Sequence, residues 1–288
     1  MFFDHVERFA SSLTYVQHME VDLYKNDGSI LYSDVNYLKT TDGKSYKTLF
    51  LGFVFVSGFL QITNDKVVVV DNLMHCLRLI DRTSNTNSRL VGTCHGPGFA
   101  DGKNAKFYHP WDIEFDERNP GNLLVTDFSN GALRSVDVEA GTVSTIIRSG
   151  LYIPRGLTWY KGRLLITNNH YISELSWNAN GAVTNTKLTA GASAGYRDGA
   201  FSSAMFSNPH EIRQIGEDLF LVADYGNHKL RLIDMAKKEV MPVCFGPTDK
   251  CNFGSALLLD QIVSILKTDD AVYVGQFHQI SKVAGLLK

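Results

Sequence analysis

Short apolar runs alternate with turn-forming residues along almost the whole chain, and the runs recur in groups of three or four. Val67–Asp71, Leu123–Asp127, Leu164–Asn168, Phe220–Asp224 and Ala271–Val274 are β-rich segments bounded by turn residues, and Ser29–Asp34 is a sixth, weaker copy. Each is preceded by another apolar segment: Leu13–Val21, Phe59–Thr63, Trp111–Phe115, Gly156–Tyr160, Glu211–Ile215 and Leu257–Ile265. Most are followed by a third, as at Cys76–Asp81, Ala132–Asp137, Tyr171–Trp177, Lys229–Asp234 and Ile280–Leu286, and then by a more polar fourth, as at Arg89–Cys94, Thr142–Ile147, Ala182–Leu188 and Glu239–Cys244. Four antiparallel strands per unit, repeated about six times, predict an all-β fold, a six-bladed β-propeller forming one domain over residues 1–288. The last unit stops after its third strand. The strand-like segment Phe2–Phe9 is therefore expected to close the last blade and remove a free sheet edge.

Within the repeat a polar residue ends the second strand and a cation follows on the third. Asp71 and Arg78, Asp127 and Arg134, and Asp224 and Arg231 share a spacing of seven. Such a carboxylate can accept a fork of hydrogen bonds from the guanidinium, which holds only if both strands keep register, so the pairs read as structural pins. Counting seven residues on in the other units gives Asp34 with Thr41, Asn168 with Leu175, and Gly275 with Lys282, three blades that depart from the pattern.

Composition narrows the function classes. The chain has 288 residues, is 44% apolar and carries a net charge of −2. No Lys/Arg cluster reaches five residues, so nucleic acid is not an expected partner and no polybasic membrane patch exists. The longest apolar stretch, near Leu49–Leu60, is too short to span a bilayer, and the first residues lack the pattern of a signal peptide. No Gly-x-Ser-x-Gly elbow and no P-loop occurs. Cysteines fall into two local pairs, Cys76 with Cys94 and Cys244 with Cys251. If they are disulfides the protein is extracellular, and otherwise cytoplasmic; the absence of any Asn-x-Ser/Thr sequon weighs mildly against secretion.

The motif elements Phe107-Tyr-His-Pro110, Ile153-Pro154, Phe206-Ser-Asn-Pro209 and Asp224-Tyr-Gly-Asn-His-Lys-Leu-Arg231 resemble those of the NHL-repeat family of six-bladed propellers. The linkers Gly98-Phe-Ala-Asp-Gly102 and Gly195-Tyr-Arg-Asp-Gly199 match it too. The resemblance covers about Phe59–Gly246 and implies the fold, not a ligand. In a propeller the residues entering each inner strand meet the turns between second and third strands at one face. The first set is Trp111, Arg155 and His210; the second is His75, Phe128, Asn169, His170, Tyr225 and His278. This mixture suits a small molecule, peptide or partner protein with apolar surface and a few hydrogen-bonding groups. The alternative is a hydrolase or lyase in the central pocket, resembling amidating lyases or lactonases, with His210 handling a proton and Arg155 holding an anion. No cofactor is expected. Zinc would need His210 joined by histidines from other loops, and a calcium role for Asp101 and Asp198 lacks a loop rich in oxygen ligands.

Overall fold

The computed structural model describes residues 2–11, 13, 15–25, 27–189, 193–245, 261–269 and 271–286. Six sheets, antiparallel apart from a short parallel pairing of Phe2 and Phe3 with Cys244 and Phe245, are arranged as the blades of a β-propeller. The inner strands are Val16–Val21, Val56–Gln61, Pro110–Phe115, Pro154–Tyr160, Ile212–Gln214 and Ser264–Lys267. The sixth begins later than the Leu257–Ile265 expected for it, residues 257–260 of which lie outside the described residues. Closure occurs as the leftover segment implied: Phe2–Ser11 pairs antiparallel with Gln279–Leu286 as the outer strand of blade 6.

The core lies between blades. Six clusters of buried apolar side chains each join two neighbouring blades. The second strands show why their sequences are apolar without a break. Val67 and Val69 face blade 1, whereas Val68 and Val70 face blade 3. A strand buried on both sides has no solvent face to mark with polar residues.

The Asp–Arg repeat resolves into three cases. In blades 3 and 5 the pair forms: Arg134 Nη1 donates to Asp127 Oδ2 at 2.7 Å and Arg231 Nη1 to Asp224 Oδ2 at 2.8 Å, with all four side chains fully buried. Each guanidinium also grips the preceding linker, at Asp101 Oδ1 (2.6 Å) and Asp198 Oδ1 (2.6 Å), and lies between two aromatic rings. The linker aspartates are thus guanidinium acceptors. Blade 2 is a correction: Arg78 donates instead to Asn87 Oδ1 at 2.6 Å, and Asp71 Oδ2 is buried without a hydrogen bond. The linker before blade 2 offers no aspartate to complete the clamp. The Cys76–Cys94 disulfide ties the third strand to the end of the fourth there instead. The pairing of Cys244 with Cys251 lies outside the described residues.

Blades 1 and 4 correct the count of seven. Their turn between second and third strands is two residues shorter, because Asp34 pairs with Tyr37 and Asn168 with Tyr171, whereas Asp127 pairs with Ala132. The positions facing Asp34 and Asn168 are therefore Lys39 and Ser173, not Thr41 and Leu175. Lys39 Nζ donates to Asp34 Oδ2 at 2.5 Å, and Asn168 Nδ2 to Ser173 Oγ at 3.0 Å.

Candidate functional site

The second oxygen of each pin residue organises the propeller's upper face. Asp34 Oδ1 accepts from Tyr15 N, Asp71 Oδ1 from Val54 N and Phe55 N, Asp127 Oδ1 from Tyr108 N, Asn168 Oδ1 from Tyr152 N, and Asp224 Oδ1 from Ser207 N. Each bond anchors the segment about to enter an inner strand. The need for an acceptor here, satisfied equally by Asp or Asn, explains why blade 4 tolerates Asn168.

These anchored segments deliver a ring of aromatic side chains to the mouth of the central channel. Tyr15 packs against Phe277 (4.0 Å between centroids) and Phe55 (6.3 Å); Phe55 faces Trp111 (6.3 Å). Trp111 contacts Phe128 (5.3 Å) and His210 (5.5 Å), and His210 stacks on Tyr225 at 4.1 Å. Tyr225 and Tyr15 lie near one another, which completes the ring. Arg155 projects into it, with Trp111 and Phe128 flanking the guanidinium at 5.1 and 4.7 Å. Gly156 lets this happen: a Cβ there would lie 2.5 Å from the His210 carbonyl, so only glycine allows inner strands 4 and 5 to approach so closely.

Two polar atoms in this ring are buried without a hydrogen bond, Arg155 Nε and His210 Nδ1. Arg155 and His210 are 7% and 5% exposed. Arg155 Nη1 donates to Asn208 Oδ1 at 2.6 Å, and no carboxylate pairs with it among the described residues. Burial brings its pKa down to about 10, so it remains a cation at neutral pH. Burial, aided by Arg155, pushes His210 well below the usual imidazole range and keeps it neutral.

Of the residues singled out from sequence, Trp111, Arg155, His210, Phe128 and Tyr225 converge. His170 lies beside them, its Nδ1 accepting from Asn208 N at 3.2 Å. Three do not reach the ring. His75 packs on His109 (4.7 Å) and Tyr108 (5.6 Å) at the edge of blades 2 and 3. His278 is exposed on the outside of the ring, beside Leu13 and 6.2 Å from Phe277, and Asn169 serves as a left-handed turn residue at φ 56°. Tyr15, Phe55 and Asn208 belong to the mouth and were not singled out, because the Pro that marks inner-strand entry in blades 3, 4 and 5 is absent from blades 1 and 2, and Asn208 reads as a turn residue.

Below the mouth lies a second polar group. Inner strands 1, 3 and 5 carry charged or imidazole pairs two residues apart: His18 and Glu20, Asp112 and Glu114, Glu211 and Arg213. That spacing puts both members on one strand face, toward the axis. His18 Nδ1 lies 3.6 Å from Asp112 Oδ1 and 3.8 Å from Glu211 Oε2; Arg213 Nε lies 3.1 Å from Glu211 Oε1 and its Nη1 3.5 Å from Glu114 Oε2. Four carboxylates thus share one Arg and one His. Burial, against the pull of Arg213, pushes Glu211 up to about 7, and burial also raises Glu114. Burial opposes the His18 charge, but Glu20, Asp112 and Glu211 outweigh it and raise His18. Beneath this network a cavity of 430 Å³, lined by Glu20, Gln61, Thr158 and Arg213 among others, opens at the lower end. Among the described residues no group of three or more His, Cys, Asp or Glu is arranged to hold a metal ion. A larger crevice, 590 Å³, lies between the outer parts of blades 4 and 5, and none of the unsatisfied buried side-chain atoms belongs to its lining.

Neither a protein-family model nor a curated protein matches the sequence. Solved structures match the fold. An auxiliary nutrient binding protein from Bacteroides ovatus superposes with a TM-score of 0.77 at 16% identity, over 98% of this chain and 77% of that one. A gluconolactonase from Xanthomonas campestris gives 0.68 at 10% identity, over 97% and 89%. Virginiamycin B lyase from Staphylococcus aureus gives 0.63 at 13% identity, over 98% and 99%. At these identities the likeness is one of fold.

Proposed function

We propose that the chain is a small-molecule binding propeller whose site is the upper mouth. The observation that carries this is the pair of buried, unpartnered polar atoms, Arg155 Nε and His210 Nδ1, inside a ring of partly exposed aromatics. Burying a polar atom without a partner costs about 1–3 kcal/mol, and a ligand that hydrogen-bonds these atoms recovers it. Apolar walls with a few converging polar groups are what small-molecule sites require. A nutrient-binding protein among the structural neighbours supports the same reading.

The enzymatic alternative draws on the gluconolactonase and the lyase among the neighbours. In it His210 would move a proton while Arg155 holds an anion. A general base is normally oriented by a third group, and His210 Nδ1 has no such partner among the described residues. Binding is therefore preferred. A protein or peptide partner finds support in Val54, Leu73, Tyr108 and Tyr152, which are exposed at 47, 49, 41 and 67% in the segments and turns that border the mouth. The Cys76–Cys94 disulfide supports residence in an oxidising compartment, tested by mass shift on alkylation with and without reduction.

A thermal-shift screen against small metabolites tests the binding reading, since a ligand of the native state raises Tm. The hits should lose their shift in Trp111→Ala and His210→Ala. Hits that shift the variants as much as the parent would place binding elsewhere.

A further inference from the structure

We infer that the ligand of the mouth carries a carboxylate on a six-membered ring, and that Arg155 takes the carboxylate along its Nε–Nη2 edge. This rests on the mouth being the site. The chain supplies its own control. The other deeply buried guanidiniums all meet carboxylates: Arg134 meets Asp127 and Asp101, Arg231 meets Asp224 and Asp198, and Arg82 meets Asp22. Arg213, within the axial network, meets Glu211 and Glu114. Arg155 is as buried as these in effect, at 7% exposure, and has an amide oxygen, Asn208 Oδ1, as its hydrogen-bond acceptor. Taking a cation out of water without a counter-charge is among the costlier arrangements a fold can hold, and a ligand anion is the missing partner.

The geometry selects the kind of anion. Asn208 occupies Nη1, which leaves the Nε–Nη2 edge, and Nε is one of the unsatisfied atoms. That edge offers two parallel donors with the spacing of a carboxylate. A phosphate monoester would bring nearly two negative charges, and Arg155 is the cation here, since His210 and His170 are both held toward neutrality by burial. A single charge balances the site. Trp111 and Phe128 lie over the guanidinium and Tyr225 stands beyond His210, all three partly exposed, so the walls around the free edge are aromatic and suit a compact ring rather than an extended chain.

Calorimetric titration with two matched pairs tests this: glucuronate against glucose, and benzoate against benzamide, at millimolar concentrations. The pairs separate a sugar acid from an aromatic acid. At least one acid should bind about 10- to 100-fold more tightly than its neutral partner, the range for charge-assisted hydrogen bonds. Arg155→Met should erase that preference and Arg155→Lys should recover part of it. The comparison on the parent protein needs no variant and so stands even if one fails to fold. Equal binding of acid and neutral partner, lost in Trp111→Ala, would overturn the carboxylate while leaving the mouth as the site. Acid binding that survives both Arg155→Met and Trp111→Ala would overturn the site itself. If neither acid binds, the ring carboxylate is wrong.

Discussion

Arg231→Met is the sharpest test of how the blades are held. The change keeps a long apolar stem between Tyr196 and Phe206 but deletes the guanidinium, which donates to Asp224 Oδ2, Asp198 Oδ1 and the carbonyls of Arg197 and Met205. Asp224 is 0% exposed and would be left as a carboxylate without its cation. Breaking a buried pair from one side costs about 3–5 kcal/mol. At about 2–4 °C per kcal/mol for chains of this size, Tm should fall by roughly 10 °C. The matched control is Arg78→Met. Arg78 sits at the same repeat position but is only partly buried and bonds Asn87, so its removal should cost less than about 1 kcal/mol. Urea unfolding followed by circular dichroism compares the two. The double change Arg231→Met with Asp224→Asn should recover part of the loss, because Asn168 already fills this position in blade 4 without a cation. If Arg231→Met costs no more than Arg78→Met, the pin is not what orders the blade.

Further outcomes follow from the same structure. Gly156→Ala would force a Cβ against the His210 carbonyl at 2.5 Å and should destabilise by about 1–3 kcal/mol while abolishing any binding that uses His210, read by thermal melt and titration together. Reducing Cys76–Cys94, which closes a separation of 18 residues, should cost about 3 kcal/mol, measured as the shift in urea midpoint with dithiothreitol. Glu211, pushed up to about 7 from 4.5, binds a proton more tightly folded than unfolded. Its stabilising contribution is complete below about pH 4.5 and is lost as pH rises through 7, worth at most about 3 kcal/mol. Stability should therefore decline between pH 5 and 8, and Glu211→Gln should flatten that decline; an unchanged slope would show that Glu211 does not hold the extra proton. Trp111, at the mouth, should report ligand binding by its fluorescence, and Trp111→Phe should silence that signal without lowering Tm by more than a few degrees.

The chain's own pattern determined the architecture. Strand recurrence, turn residues and the unpaired first segment are local signals, and a repeat averages out the error in any one copy. They sufficed for six blades, the closing strand and the pairs Asp127–Arg134 and Asp224–Arg231. Tertiary structure decided everything that depended on direction. Arg78 has the spacing of a pin but turns to Asn87 because no linker aspartate waits for it. Lys39 and Ser173, hidden by turns two residues shorter, fill the places that counting assigned to Thr41 and Leu175. His75 and His278 belong to the same class of turn as Tyr225, yet only Tyr225 reaches the ring: it directly follows the strand-ending Asp224, as Phe128 follows Asp127, whereas His75 is the left-handed residue that ends its turn. The axial network brings together residues as far apart as His18 and Glu211. Their charges read as ordinary strand residues until the propeller closes and withdraws them from water; the same closure buries Arg155 with no carboxylate beside it among the described residues.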